Sequence, residues 1–104
     1  MSDAFVVFLK IHLHFPEATS LKAKRSELQA VKAGLHQRHG AAVAEVAYQD
    51  TWQRSTLAGA VCGDSEHRVH QAADGIQRWL DARFPQGARV ERVVVSWADL
   101  ESIG

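Results

Sequence analysis

From Phe5 to Phe15 every odd position is apolar, Phe5, Val7, Leu9, Ile11, Leu13 and Phe15, while the even positions carry Lys10, His12 and His14 after the apolar Val6 and Phe8. Side chains two apart share a side of an extended backbone. This stretch is therefore a strand with one buried face, and the rest of the chain has to supply what covers that face. Pro16 stops the strand. Thr19 or Ser20 can accept from the first free amides of a helix running to about His39, and Gly40 is placed as its left-handed terminator.

On that helix Leu21, Leu28, Val31 and Leu35 form one apolar stripe that faces the sheet. Two short apolar runs follow, Ala42 to Tyr48 and Ser55 to Cys62, and the polar segment from Gln49 to Arg54 between them reads as the tip of a β-hairpin. Asp64, Ser65 and Glu66 suit a helix start, and Val69, Ala72, Ala73, Ile76, Leu80 and Phe84 make a second stripe that ends near Pro85 and Gly87. A last strand runs from about Arg89 to Trp97 through Val93, Val94 and Val95. The order β-α-β-β-α-β, with right-handed crossovers, predicts an α+β ferredoxin-like sandwich: a four-stranded antiparallel sheet with two helices on one face.

No linker, repeat or low-complexity tract divides the 104 residues, so a single domain over 1–104 is expected, large enough to build one core without a disulfide or metal. The lone cysteine, Cys62, excludes an intrachain disulfide and a Cys-based zinc site and is expected to pack as a small apolar residue. The apolar runs are too short to cross a bilayer, and Met1-Ser2-Asp3 lacks the basic start of a signal peptide, so no membrane association and a cytoplasmic location are expected.

Twelve Lys and Arg balance twelve Asp and Glu, which argues against a globally basic nucleic-acid binder, yet the charge is uneven. Between Ser20 and Gly40 stand Lys22, Lys24, Arg25, Lys32 and Arg38 against Glu27 alone. Lys22, Arg25, Lys32, His36 and His39, with Gln29, fall on one flank of the helix, a directed basic edge suited to phosphates. The same row also fits an ordinary solvated helix face. Lys24 falls inside the apolar stripe, where its stem either snorkels along apolar surface, the favoured reading, or reaches a particular acceptor. On the opposite side Ala23, Ser26, Ala30, Ala33, Gly34 and Gln37 form a row of mostly small residues that is open to close backbone approach, and Gly34 is costly there unless something requires it.

His12 and His14 share one strand face, and His67 and His70 lie three apart on the second helix; neither pair has a third convergent ligand in sequence, so no metal or other cofactor is expected. The Gln49-to-Arg54 segment groups Gln49, Asp50, Trp52, Gln53 and Arg54, which suits either a small-ligand loop or a self-satisfied hairpin tip in which Trp52 caps the core and Asp50 bonds loop amides. Glu45 and Asp50 are weak as a catalytic carboxylate pair because their spacing does not fix their separation. No Gly-rich phosphate loop, nucleophile elbow or oriented Cys/His pair occurs.

Two stretches, His12-Leu13-His14-Phe15-Pro16 leading into Ser20-Leu21-Lys22-Ala23-Lys24-Arg25, and Ala44-Glu45-Val46 leading into Gln49-Asp50-Thr51-Trp52-Gln53-Arg54, resemble the bacterial YlxP-like family, a domain of unknown function. The resemblance covers almost the whole chain and implies the same ferredoxin-like fold. Ala23 departs from the family pattern, where an acidic residue is common. Relatives are often encoded beside translation-initiation and ribosome-maturation genes, which implies a place near the ribosome or its RNA by association, not mechanism.

The leading expectation is a non-enzymatic accessory protein that contacts ribosomal RNA or a ribosomal subunit, with Lys22, Lys24, Arg25, Lys32 and Arg38 as phosphate contacts. The alternative is a protein-interaction module or homodimer using the uncovered sheet face, where Val6 and Phe8 lie, with small-ligand binding near Trp52 as a variant. An enzyme built on Glu45, Asp50 and Arg54 ranks last.

Overall fold

The structure is a computed structural model and describes residues 3–103; Met1 and Ser2, part of the start read above for a signal peptide, lie outside the described residues. Its elements are β1 (Phe5–His14), α1 (Leu21–His39), β2 (Ala42–Ala47), β3 (Arg54–Gly63), α2 (Glu66–Arg83), β4 (Arg89–Ser96) and α3 (Trp97–Ile103). The four strands form one antiparallel sheet in the order β2-β3-β1-β4. β1 and β3 are thus central and paired, although α1 and β2 separate them in sequence. This is the α+β, ferredoxin-like layout that the alternation and element order predict.

The period of two in β1 does what it must. Val7, Leu9, Ile11 and Leu13 are buried, joined on α1 by Leu28, Val31 and Leu35 and on α2 by Val69, Ala73, Ile76 and Leu80. Phe15, just beyond β1, meets Phe84, just beyond α2, edge to face at 5.6 Å, a favoured geometry for two quadrupolar rings. The caps are those the sequence offers. Ser20 Oγ accepts from Ala23 N at 3.0 Å, Gly40 ends α1 at φ +65°, and Ser65 Oγ accepts from Arg68 N at 3.1 Å.

Three details depart from the sequence reading. The last strand stops at Ser96, and Trp97 opens the short helix α3, which was not expected. Ser96 Oγ accepts from Asp99 N at 3.0 Å, so the Ser-x-x-Asp spacing was the available signal. Leu21 is only half-buried, and Lys24 takes its place in the α1 stripe. Gly34 is explained inside the fold: a Cβ there would stand 2.5 Å from the Trp79 indole of α2, so the close approach is to the chain's own second helix.

Candidate functional site

Strand register decides which polar groups share a surface. On the sheet face away from α1 and α2, Lys10 lies opposite Glu91, His12 lies between Thr56 and Arg89, and His14 lies opposite Arg54. His12 is held on both sides, with one ring nitrogen 3.3 Å from Thr56 Oγ1 and the other 2.7 Å from Glu91 Oε2. That hydrogen bond, helped by Arg89 and Lys10 nearby, holds the exposed Glu91 carboxyl below the ordinary carboxylate range. The Arg54 guanidinium stacks over the Tyr48 ring, 4.2 Å from its centroid. Toward the other end the same face is apolar, with Phe8 52% and Val93 61% exposed and opposite one another, flanked by Val6, Val95, Ala60 and Cys62. Cys62 is exposed here and does not pack away as the small apolar residue expected from the sequence, because it lies on the uncovered side of β3.

The basic edge of α1 is sorted by burial. Lys22 and Arg25 are exposed, Lys32 is half-buried, and helical geometry keeps these three on one flank. Arg38 is exposed but lies about 240° around the helix from Lys32 at 100° per residue, so it stands apart from that row. Among the described residues none of these four cations has a carboxylate within 4.0 Å, whereas Arg68 and Arg92 are paired with Asp64 and Asp74 at 3.2 and 2.9 Å.

Lys24 requires a correction. It is neither snorkelling nor available to a phosphate: its side chain is 0% exposed, and its Nζ lies 3.0 Å from Glu45 Oε2 and donates to the Tyr48 carbonyl. Ser55 Oγ donates to the same carboxylate oxygen at 2.6 Å. A buried charge demands such partners, and here they come from β2, β3 and the turn between them. The network ties α1 to the turn at Tyr48, whose φ of +64° is the left-handed conformation a non-glycine residue adopts only when its surroundings hold it there.

The Gln49-to-Arg54 segment is a turn and not a gathered pocket. Trp52 is 51% exposed and does not cap the core, and Asp50 is exposed with no hydrogen bond to a loop amide among the described residues. Gln49 is exposed. Gln53 fastens the turn to the end of β1, because its carbonyl accepts from Phe15 N at 2.9 Å and its side-chain amide donates to the Pro16 carbonyl at 3.4 Å. Glu45 turns into the helix layer toward Lys24 while Arg54 lies on the open face, so the trio considered for catalysis does not converge. His67 is exposed, and His70 lies 3.8 Å from Glu66 and 3.3 Å from Arg92. No group of three or more His, Cys, Asp or Glu side chains able to hold a metal ion occurs among the described residues, and no described helix is long and apolar enough to cross a membrane.

Two shallow cavities lie side by side on the polar half of the open face, about 420 and 320 Å³ in volume, and share His12, Arg54 and Arg89. Sequence reasoning found His12 and His14 on this face and Arg54 in the turn, but it did not bring Arg89 to them. That juxtaposition depends on the β1–β4 register, which no local pattern encodes.

Comparison with known proteins agrees with the fold and leaves activity open. A de novo designed protein, Foldit4, superimposes with a TM-score of 0.54 over 88% of this chain and 96% of its own at 12% identity, a likeness of fold alone. The uncharacterized protein YlxP of Bacillus subtilis (strain 168) is 28% identical over 78 residues, spanning 75% of this chain and 80% of that protein. Residues 6–97 match the model of a family described as a protein of unknown function, DUF503, and with that extent of agreement the chain belongs to the DUF503 family, as the YlxP-like motifs implied.

Proposed function

We propose that this DUF503 protein is a cytoplasmic, non-enzymatic accessory factor that contacts structured RNA, with a ribosomal subunit as the particle, through the phosphate backbone. The observation that carries the reading is the row Lys22, Arg25 and Lys32 on α1, directed outward and free of carboxylate partners among the described residues. Cations left unneutralised on a rigid helix attract phosphates and release counterions on contact. Arg38 adds charge from another side of the same helix. Shape and charge dominate over sequence readout, since among the described residues the open face lacks the paired aromatics on which RNA-recognition sheets stack bases.

The test is co-sedimentation with separated small and large ribosomal subunits at low and physiological salt, comparing the natural protein with K22E/R25E/K32E. Lys24 stays untouched, because charge reversal there would damage the core. Binding that weakens with salt and disappears in the folded variant supports the reading. Unchanged binding by the variant, or none by the natural protein at either salt, overturns it.

The apolar half of the open face favours a second reading, association with another copy of this chain. A two-fold contact sets each patch against itself, and Val6, Phe8, Val93 and Val95 bring no like charges together. Light scattering decides it: a strict monomer across micromolar concentrations removes this reading.

A further inference from the structure

We infer that the polar half of the open sheet face is a binding site for a mononucleotide, with the phosphate on Arg89, Arg54 and His14 and the base against the Tyr48–Arg54 stack. The inference stands apart from the RNA reading, which rests on α1 on the other side of the sheet.

The two adjoining cavities form one concave surface, and neither lining contains a carboxylate. Lys10, His12, His14, Arg54 and Arg89 converge on it from three strands that register sets side by side. Glu91, the carboxylate nearest these groups, is turned to His12 at 2.7 Å and reaches Arg89 only at 3.8 Å, with both of that pair well exposed. An exposed pair of that length is worth little, so Arg89 keeps most of its capacity for an anion. Arg is the side chain that grips phosphate oxygens two at a time.

The organic end follows from Arg54. Its guanidinium lies over the Tyr48 ring at 4.2 Å, and a stacked guanidinium offers its outer face to a base. Tyr48 is itself held in the left-handed region by the hydrogen bond its carbonyl accepts from buried Lys24, so the platform is anchored to the core before a ligand arrives. Tyr48 lines the cavity of about 320 Å³ and His14 the one of about 420 Å³, with Arg54 and Arg89 in both, so the two ends of the ligand fall in adjoining cavities.

The experiment titrates the isotopically labelled protein with adenosine 5′-monophosphate, inorganic phosphate or adenosine, following His12 and His14 ring resonances by NMR. The proposal expects saturable shifts with the monophosphate at least about tenfold tighter than with phosphate or adenosine alone, because each fragment makes only part of the contacts. R89Q and R54Q should each weaken monophosphate binding about tenfold or more, the loss of one charge-assisted pair. K22E/R25E/K32E should bind it as the natural protein does, which separates this site from the α1 row. No saturable shift with the monophosphate, inorganic phosphate binding equally well, or indifference to both arginine substitutions would each overturn the assignment.

Discussion

Lys24 of α1 and Glu45 of β2 form a buried ion pair, with Nζ and Oε2 3.0 Å apart and the lysine wholly out of solvent. A residue that looks like one more member of a cationic helix is instead the strut between the helix layer and the β2–β3 turn. Burying an ammonium is costly, and the cost is met by directed partners: the Glu45 carboxylate, itself bonded by Ser55, and the Tyr48 carbonyl.

Lys24→Met should therefore destabilise the fold by about 3–5 kcal/mol, since it leaves the half-buried Glu45 carboxylate without its counter-charge, held by the Ser55 hydroxyl alone, and the Tyr48 carbonyl without this donor. Lys24→Met/Glu45→Leu should recover part of the loss, because removing both charges also removes the unpaired one. Urea unfolding of the two single variants and the double variant measures the coupling. A single-variant loss below about 1 kcal/mol, the worth of an exposed pair, would show that the charges are not buried in solution.

Gly34→Ala tests the close approach of the helices. Helix propensity alone predicts a gain of up to about 1 kcal/mol. Against it, the new methyl would meet the Trp79 ring at 2.5 Å, and overpacking of this kind costs roughly 1–3 kcal/mol. The expected result is a net loss in thermal stability, largely restored by Gly34→Ala/Trp79→Leu. A more stable Gly34→Ala variant would mean that the indole swings aside freely.

His39 supplies a pH dependence with a definite sign. Its pKa is lowered from 6.5, first by burial and then by repulsion from Arg38 and Arg78. Its Nε2 is buried without a hydrogen-bond partner among the described residues. The unfolded chain accordingly takes up the proton more readily. No penalty exists above the unfolded value; stability falls as pH drops from about 6.5 toward the folded pKa and levels off below it. His39→Gln should lose less stability than the natural protein between about pH 8 and pH 5 in parallel denaturant titrations. Equal losses would place the acid sensitivity on other groups.

For the α1 row, each phosphate contact contributes roughly 0.7 to 0.9 to the slope of log affinity against log salt. Lys22→Ala and Arg25→Ala should each flatten that slope by about this amount while leaving the melting temperature within a degree or two, as exposed substitutions do. Fluorescence anisotropy with a labelled ribosomal RNA fragment provides the slopes. An unchanged slope in both variants would remove these residues from the interface.

The skeleton of the fold is legible in local signals. The apolar odd positions of β1, the Ser20 and Ser65 caps and the left-handed Gly40 are each read over a few residues of one chain segment, and the order of elements follows from them. They suffice to specify a four-stranded antiparallel sheet under two helices. Even the overlooked α3 had its local mark in Ser96 and Asp99. Which distant groups meet is settled only when the segments pack. The helical wheel placed Lys24 among apolar residues but could not name Glu45 or Tyr48 as its acceptors, because those belong to another element. It marked Gly34 as anomalous without finding Trp79. The convergence of His12, His14, Arg54 and Arg89 likewise follows from strand register, a relation between segments dozens of residues apart, and no period or cap within any one segment carries it.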